Sequence, residues 1–290
     1  LIEAIKSIKK YKPDIIHCAS PKGIFFGGII SKILKIKSIV IFNSGMGFLF
    51  SNKSNFFFSI IKCIYVFILK RYIMKHKNKI IVVENKDDYF FLKKKYELKL
   101  REIKLIKGSG VDLSKYYFIK KNKSKNVLLP ARVIKEKGIE EFISASISLK
   151  KKYPKWNFIV AGALDYNKQS TLRLDKIKKL NKGNVVKFLG YVKNMRRVYA
   201  DCSIVCLPSY REGFSRTLQE AAAKGLPIVT TNVIGCKSAV IRNKTGFLCK
   251  PKNHLSLKNK LRILIKSKKL REKFGVNARN FAKKNFDVNM

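Results

Sequence analysis

Short apolar runs alternate with longer stretches of helical periodicity along nearly the whole chain. In the first half the runs are Asp14–Cys18, Ser38–Phe42, Lys79–Val83 and Ile103–Ile106; in the second they are Asn126–Ala131, Trp156–Ala161, Asn184–Leu189, Ser203–Leu207 and Ile228–Thr231. Runs this short and this apolar are expected of strands buried on both faces of a parallel sheet. Helical spacing fills the gaps, most clearly over Ile139–Lys151, where Ile139, Phe142, Ile143 and Ile147 share one face. Such alternation predicts an α/β chain. Gly108-Ser109-Gly110-Val111-Asp112 ends the first series, and the polar run Lys120–Lys125 reads as a linker. The expected architecture is therefore two doubly wound domains facing across a cleft, residues 1–120 and 121–275, with a C-terminal helix over 276–290 packing back toward the first. Residues 1–10 have helical spacing, so the first domain is expected to lack at least one preceding strand.

Composition changes this picture little. The 290 residues are 46% hydrophobic, enough for two cores. Lys and Arg number 64 against 18 Asp and Glu, a net charge of +46. Two readings of that excess stand: a Lys-, Ile- and Asn-rich composition of the kind AT-rich coding produces, or attraction to an anionic surface. No RNA-binding aromatic signature or zinc-finger spacing points to nucleic acid, which leaves a membrane surface as the better partner for the charge. The longest apolar run, Phe56–Leu69, is 14 residues long and contains Lys62. A bilayer span needs about 20. It is either a core helix or an interfacial one beside Lys53, Lys70 and Arg71. Six scattered cysteines, at 18, 63, 202, 206, 236 and 249, suit a reducing cytoplasm. His17, His76 and His254 form no metal-ligand spacing with them, and His17 reads as a hydrogen-bonded structural histidine.

The chemistry is concentrated after the run ending at Leu207. Glu212 and Glu220 have seven residues between them, in Arg211-Glu212-Gly213-Phe214-Ser215-Arg216-Thr217-Leu218-Gln219-Glu220-Ala221-Ala222-Ala223-Lys224-Gly225. Ser215 is placed to cap a helix that Gly225 stops. Ligands of open α/β sheets bind at the carboxyl edge, and a helix N-terminus there offers N–H groups to a phosphate. Glu220, five residues into the helix and about 7 Å along it, can reach a sugar beyond that phosphate. Arg132 ends the run at Asn126–Ala131, and Lys137 follows it on the same edge. Two cations there would neutralise a diphosphate, Arg as a bidentate fork and Lys as a point charge. No Asp-x-Asp or Walker loop indicates a magnesium-held diphosphate, so no metal or other cofactor is expected. A lone Glu or Lys of this kind is ordinarily a solvated surface charge; the four in this order are not.

Arg132-x4-Lys137-Gly138, Glu212-Gly213-Phe214, the spaced glutamates and Gly225-Leu226-Pro227-Ile228-Val229 resemble the donor domain of family 4 retaining glycosyltransferases, which have the GT-B fold. The longer string to Pro227, with Thr230-Thr231-Asn232-Val233-Ile234-Gly235-Cys236, resembles the branch that builds polysaccharide repeat units on polyprenyl diphosphate, the bacillosaminyl and capsule N-acetylgalactosaminyl transferases. Asp14-Ile15-Ile16-His17, Lys22-Gly23, Gly45-Met46-Gly47-Phe48 and Gly108–Asp112 echo the acceptor domain.

The resemblance implies that Arg132 and Lys137 hold the donor diphosphate and stabilise it as it leaves. Glu220 would bind the ribose hydroxyls and Glu212 the donor sugar's hydroxyls. Backbone amides of Gly213, Phe214 and Ser215 would lie near sugar and phosphate, and Gly45 and Gly47 would line the acceptor side, where Asn43-Ser44-Gly45 stands in place of a histidine many relatives carry. The family's glycine-rich loop after its first strand has no counterpart here, so the chain is expected to be an N-terminally truncated member short of part of the donor site. The implied reaction is transfer from a UDP-sugar to a lipid-linked saccharide by front-face attack, at the cytoplasmic face of the membrane. The rival expectations are a nucleotide-sugar epimerase on the same fold and a basic, non-catalytic membrane-binding module.

Overall fold

In the computed structural model, described over residues 1–44, 56–118, 123–164 and 171–289, the apolar runs form two parallel sheets in two units, Leu1–Lys107 and Gly108–Met290. Gly45, Gly47, Lys53 and the first half of the expected linker, residues 120–122, therefore lie outside the described residues, as do the side chains of Phe56–Phe58, Ile61 and Lys62.

The first unit has strands β1 (Ile15–Ala19), β2 (Ser38–Asn43), β3 (Lys79–Val83) and β4 (Ile103–Leu105), hydrogen-bonded in chain order. Its helices are α1 (Ile2–Tyr11), α2 (Ser20–Ile33), α3 (Phe56–Ile68), which continues into a π-helical turn over Leu69–Ile73, and α4 (Lys86–Lys95). Alternation along β1 and β2 sends Ile16, Cys18, Ile39 and Ile41 inward to meet Ile24, Ile73, Ile81, Val83 and Leu92. Chain-order pairing of parallel strands requires a crossover after each strand, and α2 and α3 supply two of them. His17 differs from its expected role: it is exposed on β1 with its ring edge-on to Phe42, while His76 is the hydrogen-bonded one, through Nε2 to the Ile36 carbonyl at 3.0 Å. No helix among the described residues is long and apolar enough to cross a membrane.

The second unit has strands β5 (Asn126–Pro130), β6 (Asn157–Ala161), β7 (Val186–Phe188), β8 (Ile204–Leu207), β9 (Ile228–Thr231) and β10 (Gly246–Cys249), in the order β10-β9-β8-β5-β6-β7, all parallel. Helices α5 (Ile139–Lys152), α6 (Leu174–Leu180), α7 (Met195–Ala200), α8 (Arg216–Lys224), α9 (His254–Lys266) and α10 (Lys268–Asn285) cover it. Val127, Leu128, Leu129, Ile204, Val205, Ile228 and Val229 are inaccessible to solvent, as expected where helices cover both faces. At about 2 kcal/mol per buried aliphatic side chain, this burial contributes strongly to the stability of the second unit.

Two differences from the sequence reading have clear causes. β7 is shorter than expected because Asn181 clamps Val186: its side chain donates to the Val186 carbonyl at 2.8 Å and accepts from the Val186 N–H at 2.9 Å, holding Lys182–Asn184 in a 3-10 turn. The division between units falls at 107/108 because the segment after Gly108 is tied to the C-terminus, the Val111 N–H donating to the Phe286 carbonyl at 2.7 Å. α10 runs unbroken through residue 275 and packs on α8.

Gly138 fixes the entry to α5. It adopts φ 72°, and a Cβ there would stand 2.3 Å from the Pro208 carbonyl oxygen. Gly138→Ala is therefore expected to lower unfolding free energy by about 2 kcal/mol or more, from left-handed strain plus displacement of backbone. Urea unfolding read by circular dichroism checks this, with a lower midpoint at unchanged slope as the expected result.

Candidate functional site

β5 lies between β6 and β8, so the chain leaves it toward one side of the sheet and returns on the other. The loops after β5 and β8 thus diverge from neighbouring strands at a topological switch point, the place where open α/β sheets bind ligands. Arg132, Lys137 and Glu212 all lie on these two loops, and Glu220 lies on the helix that follows.

The loops are stitched together by side chains and backbone. Lys137 Nζ donates to Glu212 Oε1 at 2.6 Å, across 75 positions of sequence, with the two side chains only 21% and 13% exposed. The Tyr210 N–H donates to the Glu136 carbonyl at 2.8 Å and its hydroxyl to Glu141 Oε1 at 2.8 Å. From the other side, the Glu212 N–H donates to the Ile234 carbonyl at 3.3 Å, and the Thr231 hydroxyl donates to the Ser209 carbonyl. Gly235, at φ 80°, makes the last approach possible: a Cβ there would lie 2.3 Å from the Glu212 carbonyl oxygen and 2.5 Å from that of Gly213. Beneath the pair sits Cys236, its thiol pushed up to about 12 by burial and then by the Glu212 charge. It is an inert core group.

Lys137 is thus no solvated surface lysine, because a partly buried ammonium needs a partner and Glu212 supplies one. Arg132 stands exposed at the end of β5, where the backbone of residues 131–132 packs directly on Gly162 of the loop after β6. Gly213 is half-buried, and Phe214 turns its ring into the core against Phe286, centroids 5.6 Å apart. That contact anchors the loop so that its backbone, not its side chain, faces the edge.

α8 begins after Ser215 and ends at Gly225, the limits expected. Ser215 does not cap it with its side chain, however. Its hydroxyl is engaged with Thr217 Oγ1 at 3.0 Å, so the first-turn amides of α8 carry no side-chain oxygen from Ser215. A helix start so arranged keeps donors for an anion.

Glu220 is held apart from the Lys137–Glu212 pair, in a cluster of its own between α7 and α8. The Tyr199 hydroxyl donates to Glu220 Oε2 at 3.2 Å and Arg216 Nε to Oε1 at 3.2 Å. The Tyr116 phenol is raised by burial and then by the Glu220 charge. Neither tyrosine stood out in the sequence, since neither lies in a motif and Tyr116 is more than a hundred positions from Glu220.

Two further features lie off this set. A cavity of about 450 Å³ beside the loop after β5 is lined by Lys135, Arg173, Lys176 and Lys179 together with Asp175, Thr171 and Leu172. In the first unit, Glu84 at the end of β3 is buried and raised to about 7, by desolvation and then by Asp88. Among the described residues no group of three or more His, Cys, Asp or Glu is arranged to hold a metal.

Comparison with known proteins places the chain among enzymes that transfer sugars. The family model described as glycosyl transferases group 1 matches residues 115–281, and that described as glycosyl transferase 4-like matches residues 1–84. The chain belongs to the glycosyl transferases group 1 family. It is 29% identical over 290 residues to the N,N'-diacetylbacillosaminyl-diphospho-undecaprenol alpha-1,3-N-acetylgalactosaminyltransferase of Campylobacter jejuni, covering 94% of this chain and 73% of that one. It is 30% identical over 155 residues to the capsular polysaccharide biosynthesis glycosyltransferase CapM of Staphylococcus aureus, a match that spans 53% of this chain and 40% of the relative. The crystal structure of Anabaena HepE in complex with UDP superposes with a TM-score of 0.79 at 21% identity, over 99% of this chain and 78% of that chain. That likeness establishes the fold, GT-B, with a parallel α/β sheet in each unit.

Proposed function

We propose that the protein transfers a sugar from a UDP-sugar to a hydroxyl of a saccharide carried on polyprenyl diphosphate, keeping the anomeric configuration, in the assembly of a cell-surface polysaccharide. The observation that carries this reading is the contact of Lys137 with Glu212 at the switch point, within a family of sugar transferases. Its support comes from relatives: the Campylobacter enzyme is named for an acceptor on undecaprenol diphosphate, and HepE was solved with UDP. The first unit serves the acceptor side and the second the donor side, with Gly45 and Gly47 on the former.

Each residue then has a task. Lys137 and Arg132 face the diphosphate, where negative charge grows as the glycosidic bond breaks, and preorganised cations there lower the barrier. The first-turn amides of α8, with those of Gly213, Phe214 and Ser215, take up the remaining phosphate charge. Glu212 orients the sugar through its hydroxyls, and Glu220 binds the ribose hydroxyls. The acceptor hydroxyl attacks from the face the diphosphate leaves, and its proton passes to the departing phosphate oxygen. The chain supplies the positive charge, so transfer needs no divalent metal.

Localisation follows the acceptor: the protein sits at the cytoplasmic face of the membrane. Support comes from α3, which exposes Ile60, Ile64 and Phe67 at helical spacing, followed by exposed Lys70 and Arg71. An apolar stripe bordered by cations suits the headgroup boundary of anionic lipid.

Two outcomes test these readings. Lys137→Ala is expected to lower kcat/KM for transfer from a UDP-sugar at least tenfold, about 1.4 kcal/mol of transition-state stabilisation, in the presence or absence of EDTA; unchanged kinetics would remove Lys137 from the site, and loss of wild-type activity in EDTA would refute metal independence. In sedimentation with vesicles, Phe67→Ser is expected to weaken partitioning onto phosphatidylglycerol-containing membranes about fivefold. Identical partitioning of variant and wild type would take α3 off the membrane.

A further inference from the structure

We infer that Tyr199, with Tyr116 beside it, is a positioning residue that sets the Glu220 carboxylate for ribose recognition, and that Arg216 is the exchangeable partner which the ribose hydroxyls displace. The inference rests on the reading of Glu220 as the ribose ligand, and deepens it.

The geometry divides the partners of Glu220 into a fixed and a loose set. Tyr199 is wholly buried, and its ring packs against that of Tyr116 at 6.3 Å in an edge-on arrangement. Its hydroxyl lies 3.2 Å from both Glu220 Oε2 and the Thr217 carbonyl, so its single proton is shared between the carboxylate and the backbone of the same helix one turn earlier. A phenol locked in the core and hydrogen-bonded to a charged acceptor holds that acceptor in one rotamer. Arg216 is its opposite. Its side chain is 68% exposed, and it reaches Oε1 as an i,i+4 partner along the surface of α8. Such exposed pairs are weak and easily exchanged.

Each carboxylate oxygen accepts about two hydrogen bonds. With Oε2 fixed from the core side, Oε1 on the Arg216 side is the position a pair of vicinal hydroxyls can claim. They would gain charge-assisted hydrogen bonds and return the guanidinium to water. Were the phenol absent, the carboxylate could follow Arg216 outward and the hydroxyls would meet it in several rotamers.

Calorimetric titration of the chain with UDP and with 2′,3′-dideoxy-UDP separates the possibilities. Wild type is expected to prefer UDP by about tenfold, the worth of hydrogen bonds to a charged group. Tyr199→Phe is expected to cut that preference to about threefold or less by weakening UDP while leaving the dideoxy nucleotide's affinity unchanged, because a misplaced carboxylate costs only the ligand that uses it. Glu220→Gln should reduce the preference similarly, and Arg216→Ala should leave it intact. Equal weakening of both nucleotides by Tyr199→Phe would mean a merely structural tyrosine and overturn the proposal, as would a full preference in that variant while Glu220→Gln has lost it. Loss of the preference in Arg216→Ala would overturn the exchangeable role. Absence of any preference in wild type, or its persistence in Glu220→Gln, would refute the ribose reading itself. Should Tyr199→Phe fail to fold, Tyr116→Phe is read in the same way.

Discussion

The ion pair between Lys137 and Glu212 is the constraint on which the candidate site depends. It joins two loops that the chain would otherwise leave independent, and joins them where a dianionic group has most to gain. Neither charge is fully hydrated, so each keeps the other at the edge. A donor that offers phosphate oxygens to the lysine and hydroxyls to the glutamate satisfies both groups again on binding. Under the proposed function the pair is the template that a donor enters, taking the lysine for its phosphate and the glutamate for its sugar.

The pair can be this definite only because the scaffold beneath it is rigid. β8 and β9 are buried along their whole length and β5 from Val127 on, and their loops are fastened by Tyr210, Thr231 and the close backbone approach at Gly235. Phe214 adds an anchor to the C-terminal segment through Phe286, which in turn is tied to Val111. Segments far apart in the chain thus fix one short loop. Positional precision in a site comes from packing of this kind more than from the polar residues themselves.

Much of the fold was legible in the sequence because buried parallel strands leave uninterrupted apolar runs. β3 and β9 lie where their runs lie, and α5 follows its apolar face. That Lys137 and Glu212 share one sheet edge was legible from their places after strands, and their contact at 2.6 Å bears that placement out. Other features depend on contacts the chain does not write locally. β10 starts on Gly246, which leaves an apolar run of only Phe247-Leu248-Cys249, and it exists by pairing with β9. The hydroxyl of Ser215 prefers Thr217 to the helix amides. Tyr116 and Tyr199 converge on Glu220 only after α7, α8 and the segment before β5 have packed. Side-chain clusters assembled from three elements are visible in space before they are visible in sequence.

The most direct test of the account is a crystal structure of the protein with a bound, unhydrolysed UDP-sugar. The account predicts Lys137 Nζ within hydrogen-bonding distance of a phosphate oxygen and the Glu212 carboxylate on a hydroxyl of the donor sugar, both from the loops after β5 and β8. A donor seated with neither side chain in contact, and the Lys137–Glu212 pair undisturbed, would contradict it.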